Sequence, residues 1–277
     1  MREAGLLETP IGPDEKELAK GLNRLLHVNS SEFLDTIDKV CESDPATTYQ
    51  ATHREQLHLL MLHYHLWRKD GPSLGMRSLD DSLARLAANP SIRAELRDLT
   101  QILRRRIDHV SPRDGADNTI PLELHAAYTR EEVLLAFGLS TFDRQFTHRE
   151  GVKYLPNYGM DLLFVTLSKT ADRFSPTTMY EDYAISRELF HWQSQSTTSV
   201  GSETGRRYRE HEKLGSKVLL LVREEAKRDG LGMAFTYLGP VHYVSHEGTR
   251  PMSITWRLQT PMPASLWIAS GKLAVGA

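Results

Sequence analysis

The stretch from Ser175 to Arg228 concentrates the residue types best suited to gripping a nucleic acid. Ser175-Pro176-Thr177-Thr178-Met179-Tyr180-Glu181-Asp182-Tyr183 mixes hydroxyls with aromatic rings. Phe190-His191-Trp192-Gln193-Ser194-Gln195-Ser196-Thr197-Thr198-Ser199 continues in the same manner. Hydroxyl and amide groups in such runs match the hydrogen-bonding demands of base edges and phosphates. Downstream, Arg206, Arg207, Arg209, Lys213, Lys217, Arg223, Lys227 and Arg228 face only Glu210, Glu212, Glu224 and Glu225, so the segment is locally basic. The same composition also describes a solvated helix with a polar loop, and rings such as Trp192 and Tyr183 more often fill a core.

Other chemistries find less support. His53, His58, His63 and His65 fall close together, but no two are four apart, so they make no metal-binding face of the HExxH kind. His63 and His65 point to different sides of a helix and read as solvated or packing residues. Asp161 and Lys169 flank an apolar run as in a nuclease core. The second carboxylate that such a core needs, two residues before the lysine, is replaced by Leu167. The adjacent pair Glu181-Asp182 has no companion ligands in view. The chain contains no GxxxxGK[ST] loop, no GxSxG elbow and no HxE with PCxxC pairing. The expectation is a protein without catalytic residues, metal or cofactor.

Composition sets the outer limits. The 277 residues suffice for one large domain or two small ones. With 40% hydrophobic and 25% charged residues the chain reads as an ordinary soluble protein. A net charge of -2 rules out a uniformly cationic surface, though not a local basic face. The single cysteine, Cys41, has no intramolecular disulfide partner. No apolar run is long enough to span a bilayer, and the first ten residues lack a signal-peptide apolar region. These features point to a cytoplasmic setting with no membrane partner.

The elements that must position these residues divide into two grammars. Helical periodicity marks Leu18, Leu22, Leu25 and Leu26 after Pro13; Phe33, Leu34, Ile37, Val40 and Cys41 after Asn29-Ser30-Ser31; and Leu57, Leu60, Met61 and Tyr64 after a Thr52–Glu55 capping box, closed by Asp70-Gly71-Pro72. Two more helices follow, one capped by Ser78 and Asp81, the other opened by Asn89-Pro90. The polar stretch 111–118 is the expected boundary. It separates a helical bundle (1–112) from a β-rich recognition domain (113–277). In the second part a helix from Thr129 to about Phe137 precedes the buried-strand runs Leu162–Leu167 and Val218–Val222. A hairpin turn is expected at Asp229-Gly230, and Ile254, Trp256 and Leu258 alternate with Thr255 and Arg257. The fold class is α+β: a helical bundle, then a curled β-sheet or small β-barrel.

Taken in series, these segments resemble a family. The resemblance is carried by Asp161-Leu162-Leu163-Phe164-Val165-Thr166-Leu167-Ser168-Lys169, by Phe174 to Tyr183, by Phe190-His191-Trp192-Gln193-Ser194-Gln195, and by Gly205 to Tyr208, His211, Gly215, Leu220 to Arg223 and Tyr237-Leu238-Gly239. It is similar to the C-terminal domain of unknown function that follows phospholipase-D-like nuclease and superfamily II helicase modules in bacteria. Type IV, modification-dependent restriction enzymes of the SauUSI kind are built this way. The likeness covers about residues 120–262; the helical half, with Arg24-Leu25-Leu26-His27-Val28, resembles the linker between helicase and reader.

The resemblance implies a target-recognition module for double-stranded DNA, reading 5-methylcytosine or 5-hydroxymethylcytosine. It implies helicase and nuclease modules as partners in the same or a neighbouring chain. The 277 residues carry no nuclease or helicase motif themselves, so the expectation from the resemblance is a detached C-terminal region, either cut from a longer protein or encoded as a remnant. Such a reader flips the base between aromatic side chains. Tyr180, Tyr183, His191 and Trp192 are the stacking or base-contacting candidates, Gln193, Ser194 and Gln195 the base-edge candidates, and Arg206, Arg207 and Lys213 the phosphate candidates. By analogy alone the reader is of the SRA or PUA type. The alternative is a protein-interaction module that couples helicase motion without reading bases.

Overall fold

The computed structural model describes residues 12–43, 51–68, 71, 73–109, 121–168, 182–228 and 230–275. Tyr180, Lys169, Glu181, Asp229, Asp70, Pro72 and the 111–118 segment lie outside these. The chain forms two compact units. One takes Met1–Ile107, Asp117–Glu123 and Arg130–Thr147; the other takes Asp108–Ala116, Leu124–Thr129 and His148–Ala277.

The first unit holds α1 (Glu15–Leu22), α2 (Ser31–Glu42), α3 (His53–Trp67), α4 (Leu79–Ala87) and α5 (Pro90–Arg104), to which the later α6 (Arg130–Ala136) is added. The capping chemistry read from the sequence is in place. Ser30 accepts a hydrogen bond from the Phe33 N–H at the start of α2, Thr52 with Glu55 and Ser78 with Asp81 form reciprocal capping boxes, and Pro90 opens α5. Glu123 reinforces the start of α2 from a distance. Its carboxylate accepts hydrogen bonds from the Ser30 and Ser31 hydroxyls at 2.6 and 2.9 Å and from the Glu32 N–H at 3.2 Å. A negative group there is favoured by the helix dipole.

One expected face is corrected. Of Leu57, Leu60, Met61 and Tyr64, only Met61 is fully buried, whereas His58, Leu59, Leu62, His63, His65, Leu66 and Trp67 are. α3 packs against α1, α2, α4 and α6, so a one-sided apolar stripe does not describe it. Three of its imidazoles, His58, His63 and His65, sit inside, each with a polar partner, while His53 at its start is exposed. His58 Nδ1 lies 3.1 Å from Thr36 Oγ1, and His63 Nδ1 lies 2.9 Å from Ser82 Oγ.

The second unit is built on β1 (Ala127–Tyr128), β2 (Val152–Leu155), β3 (Met160–Ser168), β4 (Tyr183–Ala184), β5 (Leu189–Gln193), β6 (Lys217–Glu225), β9 (Phe235–Glu247) and β10 (Ser253–Leu258). Strand order is β2-β3-β6-β9-β10-β5-β4, with β1 pairing β9. Among the described residues only β3 and β6 run parallel; the other pairings are antiparallel. The path ends at β2 and β4, so among the described residues the sheet is mixed and open. The small barrel, one of the two expected forms, is not made.

β7 (Lys227–Arg228) and β8 (Leu231–Gly232) form a separate ribbon, with Gly230 at φ 80° in the turn. Two helices complete the unit, α7 (Glu203–Glu210) and α8 (Ala264–Val275). α8 packs against β4, β3 and β6, so strands from both ends of the path share one core. That core gathers Leu163, Val165, Phe190, Trp192, Tyr208, Val218, Leu220, Leu238, Ile254 and Trp256.

Burial along the strands separates support from surface. Val218 to Val222 of β6 are buried without interruption, as expected of a strand covered on both faces. In β5 and β10 burial alternates, with Phe190, Trp192, Ile254, Trp256 and Leu258 inward. Their intervening side chains make up the opposite, mostly polar face, half-buried except for the exposed Arg257. No described helix is long and apolar enough to cross a membrane.

Candidate nucleic-acid interface

The polar surface follows from strand register. Tyr183 pairs with His191, His191 with Thr255, and Thr255 with Ser245. Directly opposed residues share a face, so these four make one row across β4, β5, β10 and β9. The next row holds Gln193, Ser253 and Glu247, and Arg257 lies opposite Leu189 on the same face. At the edge of this surface the rings of Tyr183 and His191 stack, with centroids 4.7 Å apart and planes 15° from parallel. Tyr183 is 41% exposed. Asp182 anchors the short edge strand by accepting a hydrogen bond from the Gln193 N–H at 2.9 Å.

Several expected contacts sit elsewhere. Trp192 is buried, packing edge-on against Tyr208 at 5.4 Å and beside Trp256 at 6.3 Å. It is a core residue because the two-residue period of β5 turns it away from His191. Ser194 is also buried; its hydroxyl accepts from the Met252 N–H at 2.9 Å, and its own N–H donates to the Met252 carbonyl at 2.8 Å. It fastens the loop after β5 to the loop before β10. Gln195, half-buried, accepts a hydrogen bond from Thr198 at 3.3 Å within that loop.

The phosphate candidates divide too. Arg207 donates two hydrogen bonds to the buried Asp161, at 2.6 and 2.9 Å, and its guanidinium lies 3.7 Å over the Tyr154 ring. It is held inside the unit and does not face solvent phosphates. Arg206 and Lys213 are exposed, with Arg206 3.7 Å from Glu210. They are carried by or follow α7, whose Tyr208 packs on the inward face against Trp192 and Trp256. Neither belongs to the rows that strand register builds around His191. Arg257, not singled out from the sequence, is the exposed cation that β10 places on the His191 face. Its position in the alternation of β10 was the signal that marks it.

A second cluster of chemistry-bearing residues lies in the helical unit. His27 Nε2 and His65 Nε2 approach the two carboxylate oxygens of Glu132 at 2.8 and 2.9 Å. Glu132 is fully buried. Burial opposes its ionisation, but the two imidazoles hold its carboxyl well below the usual carboxylate range. For His27, burial disfavours the charged form, yet the Glu132 charge and hydrogen bond outweigh this and raise its pKa. Sequence spacing along one helix gave no sign of this group, because its members come from three separate segments.

Comparison with known proteins gives one result. The family described as Domain of unknown function (DUF3427) matches residues 122–269, just over half of the chain. No curated protein matches it.

Proposed function

The chain belongs to the DUF3427 family, a domain of unknown function, and on that premise we propose that it is a DNA-binding target-recognition module reading modified cytosine. The observation that supports this reading is the stacked Tyr183–His191 pair at the margin of a mostly polar, partly exposed sheet face. The exposed Tyr183 ring, backed by the half-buried His191, offers a stacking platform to an unstacked base, the mode by which sheet-based modules hold single-stranded bases and by which base-flipping proteins hold an extruded one. Around that platform Gln193 and Ser253 offer donors and acceptors, and Glu247 offers a carboxylate to the cytosine exocyclic amine. Arg257 supplies the cation for backbone phosphate.

In this reading the open sheet plays the part of the curled sheet in SRA and PUA readers, an analogy of role. The modification is 5-methylcytosine or 5-hydroxymethylcytosine, and the partners are the nuclease and helicase modules of a type IV, SauUSI-like restriction system. One methyl group buried on a ring face is worth about 0.8 kcal/mol, roughly a four-fold preference. Greater discrimination requires that unmodified cytosine fit badly.

The test is fluorescence anisotropy with one duplex prepared unmodified, methylated and hydroxymethylated, across a salt series. The expected result is salt-dependent binding with at least a four-fold preference for one modified duplex. Equal affinity for all three removes the modification reading. Absence of binding to any of them, with retained association to a helicase partner, replaces DNA reading by mechanical coupling.

A further inference from the structure

We propose that His27, His65 and Glu132 form a binding site for one divalent transition-metal ion, zinc foremost, in the helical unit. The three residues arrive independently: His27 from the turn after α1, His65 from the last turn of α3, and Glu132 from the first turn of α6. Each offers one ligand atom, and these atoms lie within 4.8 Å of one another. Among the described residues no other group of three histidine, cysteine or carboxylate side chains is gathered in this way.

The donor set specifies the class of ion. Two imidazole nitrogens and one carboxylate oxygen suit zinc and its first-row neighbours; calcium and magnesium prefer all-oxygen sites. Ligand atoms bound tetrahedrally at about 2.0–2.1 Å stand roughly 3.3 Å apart. The nitrogen-to-oxygen separations of 2.8 and 2.9 Å reach that value with ring shifts of about half an ångström, an amount that side-chain rotation alone supplies.

The surroundings fit as well. The Arg24 backbone, three residues before His27, also interacts with its ring. A backbone hydrogen bond to one ring nitrogen fixes the tautomer of a metal-binding histidine and aims the lone pair of the other. That lone pair points at a carboxylate oxygen, so the space between them requires either a proton or a metal cation. Glu132 and His65 are 1% and 3% exposed at the side chain, and His27 is 19% exposed. The ion therefore enters and completes its coordination from the His27 side. Glu132 lies within the family match, whereas His27 and His65 precede it. The ion would thus pin the first helix of the matched segment to the helical unit.

The experiment uses the full chain, stripped of metal by chelator and exchanged into metal-free buffer. Zinc is titrated in against a chromophoric competitor, cobalt is added separately for its ligand-field absorption, and native mass spectrometry counts the ions. One equivalent of zinc is expected, with His27→Gln weakening it more than about a hundredfold, beyond the loss from disturbing an outer partner. His27 is the most exposed of the three, so H27Q tests the site even if Glu132→Gln fails to fold; circular dichroism verifies the fold of each. A folded wild-type chain that takes up neither zinc nor cobalt overturns the proposal. So does a folded H27Q variant that binds zinc as the wild type does; a proton then holds the three side chains together.

Discussion

Arg207 grips Asp161 with two guanidinium N–H groups, at 2.6 and 2.9 Å, and so joins α7 to the start of the central strand β3. Asp161 is fully buried, and Tyr154 lies flat under the guanidinium. An arginine that suggests phosphate contact by its neighbours in sequence is in fact a structural tie. Arg207→Ala should destabilise the fold by about 3–5 kcal/mol, since it strands a buried carboxylate. Arg207→Lys should recover little, because an ammonium cannot reproduce the two-pronged contact. Arg206→Ala, one residue away and exposed, should stay within about 0.5 kcal/mol of wild type. Urea midpoints of the three variants check this.

Neighbouring residues of β5 should fail in different ways. Trp192→Ala opens a void between Tyr208 and Trp256 and should cost about 3–5 kcal/mol of stability. His191→Ala should leave the melting temperature nearly unchanged and weaken DNA binding by about 1–3 kcal/mol, the worth of one base-stacking ring. Thermal unfolding and anisotropy on the same samples separate the two effects. An H191A protein that binds every duplex normally would remove the stacking platform.

Gly205 is required by a close approach. A Cβ there would collide with the carbonyl oxygen of Ser199, which the turn into α7 holds against the helix. Gly205→Ala should therefore lower stability by about 1–3 kcal/mol even though alanine is the better helix former. Differential scanning calorimetry reads the loss directly.

Acid should weaken the helical unit before carboxylates titrate. Burial pushes the His58 and His63 imidazoles down to about 4, with the nearby Arg54 charge adding to the effect at His58. Between about pH 6.5 and 4 the unfolded chain binds protons that the folded chain refuses. The contribution of these two residues is therefore full above 6.5 and falls as pH drops through that window, by on the order of 3 kcal/mol for each histidine. Melting temperatures from pH 7.5 to 4.5 should show this decline. A flat profile would mean that both imidazoles take up protons within the fold as readily as in the unfolded chain.

Local patterns were legible wherever the cause is local. The Thr52–Glu55 and Ser78–Asp81 boxes, the proline at the start of α5 and the alternation of β10 each depend on residues a few positions apart. The inward turn of Trp192 was partly legible as well. Once β5 is a strand, His191 and Trp192 cannot share a face. What remained hidden was which face meets solvent, because that depends on α7 laying Tyr208 against Trp192.

The sequence by itself determined the helical first part, the strand-rich second part, the helix caps and the run of polar and aromatic residues around His191. These follow from periodicity, capping chemistry and composition, which act over a single turn or strand. Tertiary structure alone decided that Arg207 belongs to Asp161, that Arg257 shares a surface with His191, and that Glu132 meets His27 and His65. Those partners stand 46, 66, 105 and 67 positions apart. A pairing over such distances is fixed by strand register and helix packing, and no local pattern in the chain encodes it.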